Sequence, residues 1–188
     1  MATDVLLLAR AQAVPTLAQA ERGVTFEDLV RGHQDEVYGT ALRILGDRDA
    51  ALEVANTTFL KAYRAFDRYD PARPLRHWLL RIAANEAISA GRRLTRERAR
   101  SAGADAALTV ADARPGPDHI AIGREDAAAI RAAVLALPEL YRVPVVLRYF
   151  NDLAVEEIAR VTGRPASTVG VQLLRARALL RSALEGLA

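Results

Sequence analysis

The residues with the most specific chemistry in this 188-residue chain run from Val155 through Glu156, Glu157, Ile158, Ala159, Arg160, Val161, Thr162 and Gly163 to Val169, followed by Gly-Val-Gln-Leu-Leu-Arg-Ala-Arg. Ala159, Gly163 and Val169 have the spacing of a helix-turn-helix. A small residue sits where two helices cross, a glycine takes positive φ at the turn, and a branched apolar residue locks the second helix to the first. The spacing predicts that Ser167 or Thr168 caps the second helix. It also predicts that the exposed side of that helix presents Thr168, Gln172 and Arg175 to a nucleic-acid groove, with Arg177 and Arg181 placed for phosphates. An ordinary αα-hairpin inside a bundle satisfies the same spacing and stays open at this point.

A second concentration of charge lies upstream. Between Arg73 and Arg100 there are eight arginines against two glutamates, whereas the stretch from Glu21 to Asp70 is net acidic. Opposite charge in adjacent segments suits two surfaces of opposite preference, one for a basic protein partner and one for phosphates. Solvated helix faces would explain the charge equally well. Other chemistries have little support. The chain has no cysteine, so disulfides, thiolate metal sites and thiol nucleophiles are excluded within it. His33, His77 and His119 lack metal-binding spacing, and no metal or cofactor is expected. Lys61, the only lysine, lies in no glycine-rich phosphate loop. No nucleophile, base and orienting group occur together, so an enzyme is not expected.

These side chains need helices to position them. Hydrophobic residues make up 51% of the chain and aromatics only 5%, so the core must be built largely from Ala, Leu, Val and Ile. This composition points to an all-α fold of two small helical domains joined by a flexible linker, the C-terminal one holding the helix-turn-helix. Residues 1–23 read as an N-terminal arm, 24–94 as the first domain, 95–124 as the linker and 125–188 as the second domain. An apolar period of 3.6 residues predicts one helix from Phe26 to Ile44, stopped by Gly46 and Asp47, and a second from Ala51 to Phe66. Two prolines then enforce a loop, and a third helix is expected from Leu75 to about Arg93. Pro138 should open a later helix that Pro144 bends or shifts. The early apolar run from Val5 to Ala9 is far shorter than the ~20 residues of a membrane span and follows no basic segment. No membrane insertion and a cytoplasmic location are expected.

Taken together, the two halves resemble the bacterial ECF-type sigma factors, small RNA polymerase subunits that keep conserved regions two and four. The resemblance rests on Phe59-Leu-Lys-Ala-Tyr-Arg-Ala-Phe, on Trp78-Leu-Leu-Arg-Ile-Ala-Ala-Asn85 with Arg92 and Arg93, and on Leu137-Pro-Glu-Leu-Tyr-Arg, Leu147-Arg-Tyr-Phe and Glu157-Ile-Ala. It covers roughly residues 24–93 and 125–185. It implies a subunit that binds core RNA polymerase, directs it to promoter DNA, helps open the duplex, and is restrained by an anti-sigma factor. Carried over by position, Glu53, Asn56, Thr57 and Phe59 face core polymerase. The loop from Phe66 to Arg76 holds a base flipped from the non-template strand; Tyr69 is its freer aromatic, while the helical register of Trp78 with Ile82 makes Trp78 a core residue. Asn85, Ser89, Arg92 and Arg93 are the positions matching the minus-ten contacts, and Arg76 and Arg81, with Arg92 and Arg93, are expected to supply the salt-dependent phosphate contacts there. Arg164, Ser167, Thr168, Gln172, Arg175 and Arg177 contact the minus-thirty-five element.

Two departures from the family pattern affect these expectations. The family usually has Gln and an acidic residue where this chain has Asn56 and Thr57, leaving Glu53 as the main acidic contact. It commonly has Lys-Ser-Arg where this chain has Gly170-Val171-Gln172. Gln172 is then expected to read adenine through paired hydrogen bonds. A sigma mimic that occupies an anti-sigma factor, or a conventional helix-turn-helix regulator, remains an alternative.

Overall fold

The computed structural model of the chain describes residues 25–70, 72, 74–101 and 124–185; the expected N-terminal arm and most of the expected linker lie outside them. The described residues form seven α-helices and one 3₁₀ turn, with no strand among them. Helix α1 (Phe26–Leu45) starts at Thr25, whose hydroxyl accepts from the Asp28 backbone N–H at 3.1 Å while the Asp28 carboxylate accepts from the Thr25 N–H at 3.3 Å. This reciprocal cap satisfies two otherwise orphaned donors. The hydroxyl and backbone of Thr25 hold the Asp28 carboxyl below its ordinary range. The helix ends at Gly46, which takes φ +70 and donates to Leu42. Asp47 then caps α2 (Arg48–Ala65), accepting from Ala50 N–H at 2.9 Å.

After the 3₁₀ turn Phe66–Arg68, α3 spans Leu75–Ser101. It overruns the expected end at Arg93 by eight residues. The reason is local: 94–101 contains no Gly or Pro, and Arg and Glu are good helix formers when exposed. The first part of the expected linker is therefore helical. The remaining helices are α4 (Arg124–Ala136), α5 (Glu139–Tyr149), α6 (Val155–Thr162) and α7 (Ala166–Glu185). Pro138 stands just before α5 rather than inside its first turn, and its carbonyl accepts from Tyr141 and Arg142, both at 2.9 Å. Pro144 lies inside α5 without ending it. A proline cannot donate to the carbonyl four residues back, here that of Leu140. The Arg164 guanidinium takes that carbonyl at 3.5 Å, so a side chain from the helix-turn-helix replaces the missing backbone donor.

Neighbouring residues of α3 enter two different cores. Leu79 packs with Phe26, Leu29, Val37, Phe59 and Phe66 in a cluster confined to α1, α2, the 3₁₀ turn and α3. Leu80 joins Ala41, Ile44, Val54 and Ala84 in a cluster that continues through Val134, Leu137, Val146, Leu153 and Ile158 to Val169 and Leu173 of the second unit. The two helical units expected from sequence are present, but they share one apolar core. Leu80, Val146 and Ile158 of this shared cluster are each at most 1% exposed, and apolar surface returned to water on parting the units would cost roughly 25 cal/mol per Å².

Candidate nucleic-acid interface

Arg76, Arg81, Asn85, Ser89, Arg92 and Arg93, expected to contact the minus-ten element, do not all share one face of α3. At 100° per residue, Arg81, Asn85, Ser89, Arg92 and Arg96 fall within one narrow stripe, and all five are exposed. The stripe is about 22 Å long at ~1.5 Å per residue. Arg96 is the member that sequence reading missed; its spacing of four from Arg92 was the available signal. Ser89 is partly committed, because its hydroxyl donates to the Asn85 carbonyl at 2.9 Å.

Beside the stripe, α2 and α3 enclose a shallow cleft of about 360 Å³. Glu53, Val54 and Thr57 form one wall, and Ser89, Arg92 and Arg93 form part of the other. Glu53 and Arg93, expected on separate surfaces, meet across it at 3.2 Å. Phe59 is not available to a partner: it is 3% exposed and sits in the first core. The exposed stripe of α2 instead runs through Glu53, Asn56 and Leu60, with Thr57 half-buried beside it. Leu60 is 47% exposed and lies seven residues from Glu53, two helical turns along the same face.

Tyr69 is stacked rather than projecting. Its ring is nearly parallel to Phe66, with an interplanar angle of 6° and centroids 6.2 Å apart, and it lies 5.1 Å from Trp78. Trp78 packs against the first core, as its register with Ile82 indicated.

Arg76 faces away from the stripe. Its Nε donates to the Glu36 carboxylate at 2.9 and 3.0 Å, and Nη2 reaches the Asn151 carbonyl in the second unit. The Asn151 side chain, 2% exposed, donates from Nδ2 to Thr40 Oγ1 at 2.9 Å and to Glu36 Oε1 at 3.2 Å. Burial pushes the Glu36 carboxyl up. The hydrogen bonds from Arg76 and Asn151, with the charges of Arg76 and His33, outweigh that and hold it below its ordinary range. Asn151 is presented by a turn in which Asp152 takes φ +54 and Leu153 N–H returns to the Leu147 carbonyl at 3.0 Å.

Further contacts join the two units around this polar centre. Arg142 Nη1 donates to the Ile44 carbonyl at 2.7 Å, in the last turn of α1 where a cation suits the helix dipole. The Arg43 guanidinium lies 4.7 Å from the Phe150 ring centroid. His77 Nδ1 is 3.2 Å from Glu157, and Arg92 Nε is 3.6 Å from Glu139. Burial lowers the pKa of both Arg142 and Arg43.

The helix-turn-helix forms from α6 and α7. Gly163 takes φ +68 at the turn, and Val169 is fully buried between the helices. Ser167 and Thr168 do not cap α7: the helix begins at Ala166, Val169 N–H donates to the Pro165 carbonyl at 3.1 Å, and both side chains lie exposed in the first turn. Gln172 is also displaced from its expected role. It is 5% exposed, and its Oε1 accepts from Arg164 Nη1 at 3.3 Å. Arg164 is thereby held by Gln172 and by Leu140. Arg175 and Arg177 are exposed, as expected.

The sequence matches Sigma-70 region 2 over residues 29–97 and Sigma-70 region 4 over residues 127–180. The ECF RNA polymerase sigma factor SigW of Bacillus subtilis is 30% identical over 168 residues, covering 86% of this chain and 90% of that protein. This chain belongs to the ECF sigma factors. The RNA polymerase sigma-H factor of Pseudomonas aeruginosa is 31% identical over 192 residues, covering 96% and 98%. The fold also matches the sigma factor RpoE of Bartonella quintana, solved with the anti-sigma factor NepR, at a TM-score of 0.72 and 22% identity, covering 85% and 96%. In this sigma factor, region 2 comprises α1–α3 and includes the α3 extension nearly to its end. Region 4 comprises α4–α7. Among the described residues no helix is long and apolar enough to cross a membrane.

Proposed function

We propose that this ECF sigma factor docks on core RNA polymerase through the outer stripe of α2, contacts the minus-ten element with α3, and reads the minus-thirty-five element with α7. The observation that carries the reading is the α3 stripe, where Arg81, Asn85, Ser89, Arg92 and Arg96 line one exposed face. Such a surface supplies a salt-dependent phosphate term together with polar groups for bases. Binding of unstacked bases offsets the few kcal/mol that base flipping costs, so strand separation needs no hydrolysis. Glu53, Asn56, Thr57 and Leu60 are the residues assigned to polymerase. An anti-sigma factor is the further partner, in keeping with the relatives solved with NepR and, for CnrH, with the cytosolic domain of CnrY.

The shared core bears on how this function is carried out. Elements centred at minus ten and minus thirty-five are about 25 base pairs apart, roughly 85 Å at ~3.4 Å per pair. A compact body of ~150 residues has a radius of gyration of about 15 Å and cannot span that distance. The 22 residues between Ser101 and Arg124 reach at most about 75 Å when extended. Simultaneous engagement of both elements therefore requires the two units to separate, with loss of the contacts among Glu36, Arg76, Thr40 and Asn151. The closed arrangement is the resting form in this reading, and engagement of polymerase and promoter compensates for opening it.

Run-off transcription from genomic fragments with purified core polymerase tests the proposal. Discrete transcripts that require this chain and are lost in Arg81→Ala/Arg92→Ala support it. Association with core polymerase without RNA from any fragment would point to a sigma mimic.

A further inference from the structure

The recognition helix α7 turns an aliphatic ridge outward. Its buried face consists of Val169, Gln172, Leu173 and Ala176. Opposite it at 100° per residue stand Ser167, Val171, Leu174 and Ala178. Val171 is 49% exposed and Leu174 is 61% exposed, the latter the most exposed large apolar side chain among the described residues. Arg175 flanks the ridge on one side, with Arg177 and Arg181 on the other, and the helix contains no acidic residue before Glu185. This charge setting matches a polyanion rather than a basic protein partner for the ridge. Within the major groove, the apolar group available to an aliphatic side chain is the thymine 5-methyl.

We propose that Val171 and Leu174 read thymine 5-methyl groups in the minus-thirty-five element. Arg175, Arg177 and Arg181 hold the phosphates on either side. Gln172 serves as a positioning residue: from the buried side it anchors Arg164, which also ties down the carbonyl released by Pro144. The inference rests on the assignment of α7 to promoter DNA and specifies which chemical group it recognises. Specificity at these positions then comes from methyl contacts and shape, with no paired hydrogen bonds from Gln172.

The test uses the full chain bound to core polymerase. A preferred minus-thirty-five sequence is first selected from a randomised template pool by transcription. Templates are then compared with thymine or deoxyuracil at each selected position, a change that removes only the methyl group. Loss of one buried methyl is expected to weaken competitive binding about three- to fivefold. Val171→Ser and Leu174→Ser should each abolish the response to deoxyuracil at one position while leaving the melting temperature nearly unchanged, because both residues are exposed. Gln172→Ala should lower the melting temperature and keep the selected sequence. Initiation that is indifferent to deoxyuracil at every position, or a preference that changes with Gln172 and not with Val171, overturns the inference while the sigma-factor reading stands. Failure to initiate from any template overturns the sigma-factor reading itself.

Discussion

Replacing Asn151 by alanine should open this sigma factor without unfolding either half. The Asn151 side chain makes its hydrogen bonds across the boundary, to Thr40 Oγ1 at 2.9 Å and to Glu36 Oε1 at 3.2 Å, while its backbone N–H is held within its own unit by Val146 at 3.3 Å. A neutral hydrogen bond contributes about 1 kcal/mol and one to a charged group about 1.5–3 kcal/mol. Thr40 is fully buried in the closed form and loses a partner. The closed form should therefore lose about 2–4 kcal/mol relative to the open one, where Thr40 and Glu36 meet water. At ~1.4 kcal/mol per decade, the open fraction rises between about 30-fold and 1,000-fold. Because the chain has no cysteine, dyes can be placed at Leu60→Cys and Arg181→Cys alone, both exposed sites on different units. Single-molecule energy transfer between them should shift toward longer distances in Asn151→Ala. A distance distribution identical to that of the unsubstituted chain, with Glu36→Gln also without effect, refutes the reasoning.

Glu36 has a lowered pKa in the closed form, so it favours closure above its open-state value, ordinarily about 4.3, and that contribution is lost as pH falls through the lower closed-state value. Acid titration of the same dye pair should show opening in that window, and Glu36→Gln should remove the glutamate component. Gly46→Ala places a Cβ 3.0 Å from Leu135 Cδ2 at φ +70, whereas Gly163→Ala at φ +68 meets nothing within 4 Å. Both incur about 1–2 kcal/mol of left-handed strain, and Gly46→Ala should lower the calorimetric melting temperature further; equal shifts would contradict a close approach of Leu135. Arg164→Ala should destabilise α5 to α7 by about 1–3 kcal/mol through loss of its bonds to Leu140 and Gln172. Hydrogen exchange should then show faster opening there with α1 and α2 unchanged, and uniform exchange rates would argue against a local tie.

The turns and helix faces were legible in sequence where one residue type has one physical use. Gly46 and Gly163 adopt the positive φ that their positions called for, and Val169 fills the junction of the helix-turn-helix. Errors arose where a face had to be chosen to within one residue. Gln172 and Val171 differ by 100° around α7, which is enough to exchange a buried anchor for an exposed ridge. Phe59 and Leu60 differ in the same way on α2. The polar centre was not legible at all: Arg76 and Asn151 are 75 positions apart, and no local pattern announces that an arginine on an otherwise phosphate-suited segment is held by a second unit. Tyr69, expected to be the freer aromatic of its loop, stacks on Phe66, a contact that depends on the tertiary fold. The overrun of α3 to Ser101 reflects helix propensity in a segment that an apolar period does not mark.

Permanganate reactivity of unpaired thymines is the most direct test of the claim that side-chain binding alone opens a promoter. Core polymerase carrying the full chain is incubated with a promoter template in the absence of nucleoside triphosphates. Reactive thymines upstream of the start site, present with this sigma factor and lost with Arg81→Ala/Arg92→Ala, are the predicted result. A complex that protects both promoter elements yet leaves every thymine unreactive until nucleotides are added would contradict the account.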